Sequence, residues 1–65
     1  MNKNKITADR PERLLTIPDI ADLHQVSEKT VRRWIEAREL PAAKLGNQWR
    51  IRPRDLERFV HDRLY

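Results

Sequence analysis

One short stretch of the sequence concentrates side chains that bind anions and read the edges of bases. Its members combine hydroxyls, a carboxylate and cations, and they are Ser27, Glu28, Lys29, Thr30, Arg32 and Arg33. A guanidinium donates in a planar fork that fits two neighbouring acceptors, such as O6 and N7 of guanine or two phosphate oxygens. A carboxylate accepts from an amine such as N4 of cytosine, while hydroxyls and the free N–H groups of a helix start suit phosphate. These residue types in one stretch indicate recognition of a polyanion.

A second cluster of polar side chains surrounds the single glycine of the chain, Gly46. It consists of Lys44, Asn47, Gln48 and Arg50. A glycine followed by asparagine is typical of a tight hairpin, because both residues tolerate a positive φ. A thin polar tip with cations at its base fits along a phosphate backbone or into a minor groove. We expect this cluster to add contacts to those of the first.

Catalysis and metal binding are weaker interpretations of the same residues. Ser27 and His24 would suit a nucleophile and its base, but serine is far commoner as a helix N-cap and no acid is placed to orient the histidine. His24 and His61 lie far apart in a chain without cysteine, so a zinc site is not expected. The sequence therefore predicts no enzyme, no metal and no cofactor.

Length and composition narrow the class of protein. The chain has 65 residues, which suit one small domain with too little chain for both a core and a walled pocket. It carries 14 Lys and Arg against 10 Asp and Glu, a net charge of +4, and no cysteine for disulfides. No apolar run approaches the ~20 residues of a membrane helix, and the basic N-terminus lacks the apolar block of a signal peptide. A cytoplasmic, nucleoid-associated module with no membrane partner is the expectation.

The N-terminal segment differs in composition from the rest. Residues 1–13 carry four cations and few apolar side chains, which predicts a flexible basic arm or, alternatively, a plain solvated tail. The ordered domain is expected over 14–65.

Capping residues predict where the first two helices begin. Thr16 is a suitable N-cap for a helix over about 18–24, with Asp19 completing a short capping box. Ser27 is the N-cap of a second helix over about 28–38, which stops before a proline.

Apolar spacing predicts which helix faces are buried. Val31, Trp34 and Ile35 form one stripe on the second helix, so its charged residues face outward. A third helix opens at Pro53 and carries a core-facing stripe at Leu56, Phe59, Val60 and Leu64. Core packing of Trp34 is favoured over stacking on a base.

Between the second and third helices, the segments 42–45 and 48–51 read as the arms of a hairpin. Their apolar and polar residues alternate with a period of two, which predicts one face turned inward. The residues expected on the inner face are Ala43, Leu45, Trp49 and Ile51.

Two short helices joined by a tight turn, the second with a cationic outer face, make a helix-turn-helix. Its second helix enters the major groove of DNA, which is about 12 Å wide. The predicted fold is therefore mainly α with a small β-hairpin, a winged helix-turn-helix of three helices and a two-stranded wing. Double-stranded DNA is the expected partner. Because Glu28 and Glu36 share the cationic face, we expect sequence-specific DNA binding and not purely electrostatic, non-specific binding.

Short motifs in a fixed order over about 14–60 carry a family resemblance. They are Leu15-Thr16-Ile17, Val26-Ser27, Thr30-Val31-Arg32-Arg33-Trp34-Ile35, Leu40-Pro41-Ala42, Gly46, Trp49-Arg50-Ile51 and Asp55-Leu56-Glu57-Arg58-Phe59. In this order they resemble the excisionase-type winged helix-turn-helix, a recombination directionality factor related to the MerR DNA-binding domain. One residue departs from the family pattern, because Arg38 stands where the family usually has glycine. The end of the second helix is therefore expected to differ.

The resemblance implies how such a protein works. The second helix reads the major groove, the wing contacts the minor groove or backbone, and the protein takes no catalytic step. Excisionases often bind tandem sites cooperatively, which implies a monomer in free solution that self-associates along DNA. They bend the DNA for an integrase partner. The short chain favours this role, since MerR-type regulators append a coiled coil and an effector domain.

Other interpretations stay open at this point. The charged residues of the third helix are either a self-association face or plain solvated surface, and they are Arg54, Glu57, Arg58, Asp62 and Arg63. The whole protein is alternatively a small transcription regulator of the same fold. A third alternative is a protein-interaction module that docks its cationic helix on an acidic partner.

Overall fold

The computed structural model describes residues 13–64. Within them the elements follow the order α1 (Ile17–His24), α2 (Glu28–Glu36), β1 (Ala43–Leu45), β2 (Gln48–Arg50) and α3 (Pro53–Leu64). Three helices and a two-stranded antiparallel hairpin make up this part of the chain, so the predicted winged helix-turn-helix is confirmed. The predicted basic arm lies outside the described residues except for Arg13.

The start of α1 is set by a reciprocal pair of hydrogen bonds. The Asp19 N–H donates to Thr16 Oγ1 at 3.1 Å, and the Thr16 N–H donates to Asp19 Oδ2 at 2.9 Å. This capping box satisfies two N–H groups that a helix start would otherwise leave open. The predicted cap is confirmed, and the helix begins at Ile17, one residue earlier than predicted.

The end of α2 was predicted wrongly. The helix stops at Glu36, two residues before the predicted end at Arg38. Arg38 has a φ of 63°, its N–H donates to Ile35 O at 3.0 Å, and the Glu39 N–H donates to Trp34 O at 3.0 Å. These two bonds and the left-handed residue form a Schellman motif, which ends a helix. The chain therefore turns at the position where the family usually has glycine.

The end of α1 follows the same design. Gln25 has a φ of 57°, and the Val26 N–H donates to Ala21 O at 3.0 Å. The Gln25 side chain adds a bond from Nε2 to Asp22 O at 2.9 Å. The turn between α1 and α2 thus also depends on a left-handed residue that is not glycine.

The register of the hairpin corrects the predicted inner face. Lys44 pairs with Trp49 and Ala43 with Arg50, and cross-strand partners lie on the same face. All three residues of β1 are exposed, Leu45 by 54% of its surface, so the prediction that Ala43 and Leu45 face inward is wrong. Neither Ala43 nor Leu45 packs against the core, although Trp49 of the neighbouring strand does. Each strand is also one residue shorter than predicted.

The core is assembled from all three helices, from Leu40 in the connection between α2 and β1, and from Ile51 directly after β2. Its buried side chains are Ile17, Ile20, Ala21, Val31, Ile35, Leu40, Ile51, Leu56 and Phe59. Ile51 also forms an antiparallel bridge with Leu15, which precedes α1, through two backbone hydrogen bonds. Trp34 and Trp49 pack against this core and stay half-buried, with the Trp34 ring 4.7 Å from that of Phe59. Leu64 is 69% exposed, so its predicted place in the core is wrong.

None of the helices between residues 13 and 64 is long and apolar enough to span a membrane.

Candidate nucleic-acid interface

The outer face of α2 carries the charged residues of the first predicted cluster. Glu28, Lys29, Arg32 and Arg33 are exposed, whereas Val31 on the opposite face is fully buried. An α-helix completes one turn every 3.6 residues, so the four charged side chains share one side of α2 while its apolar stripe faces the core. The described residues offer no hydrogen bond or ion pair to any of the four. Their charges are therefore uncommitted within this part of the molecule.

The two hydroxyls of the cluster take part in capping α2. Ser27 Oγ accepts from the Thr30 N–H at 3.0 Å and lies 2.9 Å from Thr30 Oγ1. Thr30 is half-buried, while Ser27 is exposed at the helix start. The hydroxyls thus fix the N-terminus of α2, and the charged side chains are the groups that reach furthest outward.

An open groove of about 410 Å³ brings the two predicted clusters together. Glu28 and Arg32 line it from α2, while Lys29 and Arg33 lie outside it. The wing contributes all four predicted residues, which are Lys44, Asn47, Gln48 and Arg50, together with Trp49. A single concave surface therefore combines the start of α2 with side chains from both faces of the wing.

The groove has a third wall that the sequence analysis missed. Thr16, Ile17 and Pro18, at the start of α1, also line it. Sequence spacing gave no signal for this wall, because only the packing of α1 against α2 and the wing brings it there. The capping motif at Thr16 was the one local sign that a helix begins there.

The two cations of the wing have different surroundings. Lys44 Nζ lies 5.5 Å from the centroid of the Trp49 ring, within the range of a cation–π contact. Arg50 is half-buried, and its guanidinium donates to Trp49 O at 3.0 Å and to Gln48 Oε1. Two of the arginine donors are thus used inside the wing, whereas the predicted role of Arg50 was a backbone contact alone.

A carboxylate beside the groove is stabilised in its charged form. The pKa of Asp19 is lowered from 3.8, first by the bond from the Thr16 N–H and then by the Thr16 side chain. The charges of Arg13 and Arg50 add a smaller lowering. Asp19 therefore serves the start of α1 and balances cations that border the groove.

The residues considered for catalysis or metal binding do not come together as such a site. Ser27 Oγ is engaged with Thr30, and His24 instead shares a shallow groove of about 330 Å³ with His61 and Leu23. Across residues 13–64, no three His, Asp or Glu side chains converge as metal ligands. The two histidines flank an apolar surface formed by α1 and α3.

The sequence profile of the helix-turn-helix domain matches residues 14–63, which is most of the chain. The chain belongs to the helix-turn-helix domain family. Membership implies binding to double-stranded DNA, and such domains are typically non-enzymatic. The family includes excisionase-like DNA-binding domains. Comparisons with the curated proteins and with the solved structures find no significant match.

The groove lies between α2 and the wing. α2 is the second helix of the motif, the one that enters the major groove. The same surface holds Glu28 and Arg32, whose opposite charges suit different base edges.

Proposed function

We propose that this helix-turn-helix domain is an excisionase. It binds repeated sites in double-stranded DNA cooperatively and bends them, so that an integrase partner carries out excision. The observation that carries the DNA-reading part is the continuous groove that joins Glu28 and Arg32 of α2 to the polar tip of the wing. The excisionase role, the bending and the integrase rest on the order of motifs, which resembles that family. The protein acts in the cytoplasm, on the nucleoid.

In this proposal α2 reads the major groove. Arg32 and Arg33 carry guanidinium forks that fit O6 and N7 of guanine, and Glu28 accepts from N4 of cytosine. Ser27, Thr30 and Lys29 border the phosphates near the start of the helix. An acid on this face repels the backbone, so Glu28 favours a duplex only where a base offers it a donor. That feature supports specific reading over non-specific adhesion.

The wing supplies the contacts that position the domain. Lys44 and Asn47 reach the backbone beside α2, and Gln48 stands at the edge of the adjoining minor groove. Arg50 takes part through the donors that the wing leaves free. These contacts fix the register of α2 on the duplex and carry little sequence information of their own.

Neighbouring copies strengthen binding by self-association along the DNA. A single module of this kind buries only about 600–1,000 Å² of its surface, so a second contact raises the occupancy of adjacent sites. The exposed charges of α3 supply this contact, and they are Arg54, Glu57, Arg58 and Asp62. Arg63, which the sequence analysis included among these charges, is left out because its side chain is engaged within the chain. Its guanidinium binds Glu39 at 2.8 Å and lies 3.7 Å from the Phe59 ring within the same chain. Free in solution, the protein is a monomer.

DNase I footprinting across an attachment region, combined with a bending assay, tests the proposal. An excisionase protects several adjacent repeats with positive cooperativity and bends the duplex. It also raises the yield of integrase-mediated excision in a reconstituted reaction. A single isolated site without a bend would contradict the excisionase role and leave DNA binding intact.

A transcription regulator is the second candidate, and the mixed charge of α2 favours it equally. Glu28 and Glu36 among the cations suit the choice of one operator over bulk DNA. A promoter reporter in a strain without the integrase gene separates the two, since a regulator still acts there. If a variant carrying both Arg32→Ala and Arg33→Ala bound DNA unchanged but lost an acidic protein partner, the protein-interaction alternative would replace both.

A further inference from the structure

The tip of the wing holds a side-chain amide in one orientation. Gln48 is the first residue of β2, directly after the Gly46-Asn47 turn, and its side chain lines the groove. Arg50 follows two residues later and therefore lies on the same face of the strand. Its Nη2 donates to Gln48 Oε1, while its Nη1 donates to Trp49 O at 3.0 Å. The second bond anchors the guanidinium that holds the amide.

Chemistry decides which end of the amide is held. A guanidinium has five N–H donors and no acceptor, so only the amide oxygen of Gln48 can face Arg50. The remaining lone pair of that oxygen lies beside a cation, where a second donor is disfavoured. The amide NH₂ group lies at the other end, and residues 13–64 give it no hydrogen bond. To a ligand, Gln48 is therefore a donor.

Lys44, on the opposite face of the hairpin, also presents only donors. Lys44 lines the same groove and lies over the Trp49 ring. Lysine has three donors and no acceptor. The wing thus presents donors to the groove from Lys44 and from Gln48, on opposite faces of the hairpin. The amide oxygen of Gln48 is occupied, whereas Asn47 keeps both a donor and an acceptor.

A side-chain donor whose own acceptor is occupied discriminates in the minor groove. Every base pair presents acceptors there, adenine N3 or thymine O2 and their counterparts, but a G·C pair adds the N2 amino donor of guanine. We infer that Arg50 fixes the polarity of the Gln48 amide and that Gln48 thereby favours minor grooves without this amino group. Gln48 is the specificity-determining residue and Arg50 is its positioning residue. The inference rests on the proposed DNA binding and deepens it.

Four homopolymer duplexes test it without knowledge of the operator. Inosine·cytosine has the major groove of G·C without the N2 amine, and diaminopurine·thymine has the major groove of A·T with the amine added. Each is compared with its natural counterpart, by competition against one labelled duplex at fixed salt. We expect the amine-free member of each pair to bind the wild-type domain about 3–10-fold more tightly, the value of about one hydrogen bond. Keeping the major groove constant within a pair removes the contribution of α2.

Variants separate the amide from the charge that holds it. Gln48→Ala removes the amide, and Arg50→Gln releases it to turn either way, so both should bring the two ratios to about one. Arg38→Gln is the matched control, because it removes the same charge from an exposed side chain outside the groove. It should keep the ratios. Far-UV circular dichroism checks that each variant is folded.

Three outcomes overturn the inference. Equal binding within both pairs by the wild-type domain would refute it and leave the proposed function standing. Ratios that persist in Gln48→Ala would also refute it, because the cations would then be reading groove width. Failure to bind any duplex would remove the inference together with the proposed function.

Discussion

Replacing Arg38 with glycine should stabilise the domain. Arg38 follows the last turn of α2 with a φ of 63°, and its side chain is exposed without a hydrogen bond in the described residues. In this left-handed conformation a β-carbon crowds the following carbonyl oxygen, at a cost of about 1–2 kcal/mol. The bonds that end the helix come from the backbone of Arg38 and Glu39, so they survive the substitution. Glycine therefore removes a strain and sacrifices no observed contact.

The expected gain is smaller than the strain it removes. Glycine also gives the unfolded chain more freedom, which costs about 0.5–1 kcal/mol. The net increase in the free energy of unfolding is about 0.5–1 kcal/mol. In a domain of this size each kcal/mol raises Tm by about 4–8 °C, so Arg38→Gly should melt about 2–8 °C higher than the wild type.

Urea and thermal unfolding, followed by far-UV circular dichroism, measure this gain against two companion variants. Arg38→Ala removes the charge but keeps the β-carbon, so it should not stabilise. Arg38→Asn should fall between alanine and glycine, because asparagine tolerates the left-handed region. Gln25→Gly tests the same strain at the end of α1, with a smaller gain because the bond from Gln25 Nε2 to Asp22 O is lost. Equal stabilisation by alanine and glycine at position 38 would show that charge, and not backbone strain, sets the stability there.

Four further predictions follow from the interface and the core. Arg32→Ala and Arg33→Ala should weaken specific DNA binding, by about 1–3 kcal/mol for the arginine that makes a bidentate base contact. Unchanged affinity of both variants in DNA titrations would contradict base recognition by α2. Lys44→Ala should weaken binding to all DNA sequences alike and reduce the slope of log K against log salt concentration by about one unit. An unchanged slope would show that Lys44 does not contact a phosphate. Trp34→Ala should lower the free energy of unfolding by about 3 kcal/mol, the lower end for a tryptophan because the ring is half-buried. A urea midpoint near the wild-type value would show that the ring contributes little to core packing. The pKa of Asp19 is lowered in the folded state, so its stabilisation is present above its ordinary value of 3.8 and is lost as the pH falls through the lower, folded value. Asp19→Asn should therefore make the loss of stability in acid shallower in urea titrations, and parallel profiles for the two proteins would refute this.

Local chemistry explains why the helix starts were predictable. Thr16 with Asp19, and Ser27 with Thr30, form caps within three residues of chain, so the sequence contains all the groups involved. The buried stripe of α2 was equally accessible, because helical spacing alone places Val31 on one side. The end of α2 was not predictable in this way. Arg38 occupies a conformation that its residue type disfavours, and only the departure from the family pattern marked the position.

The wing shows what spacing leaves undetermined. Alternation predicts that two sides of a strand differ, but not that a core lies beneath one of them, so Leu45 was expected inside and lies exposed. Likewise the sequence presents Lys44 and Arg50 as equivalent cations on either side of a turn. The register places them on opposite faces, and the bonds of Arg50 to Gln48 and Trp49 require the folded hairpin.

The geometry of the groove depends on α3, although no residue of α3 lines it. The groove lies between α2 and the wing, and α3 contacts the segment that connects them. Leu40 is buried and its N–H donates to Trp34 O at 3.2 Å, while Glu39 is bound by Arg63 at 2.8 Å. Arg63 in turn lies on the Phe59 ring, which packs against Trp34. This closed set of contacts holds the strained turn at Arg38 in place, so the last turns of α3 help to fix the connection between α2 and the wing.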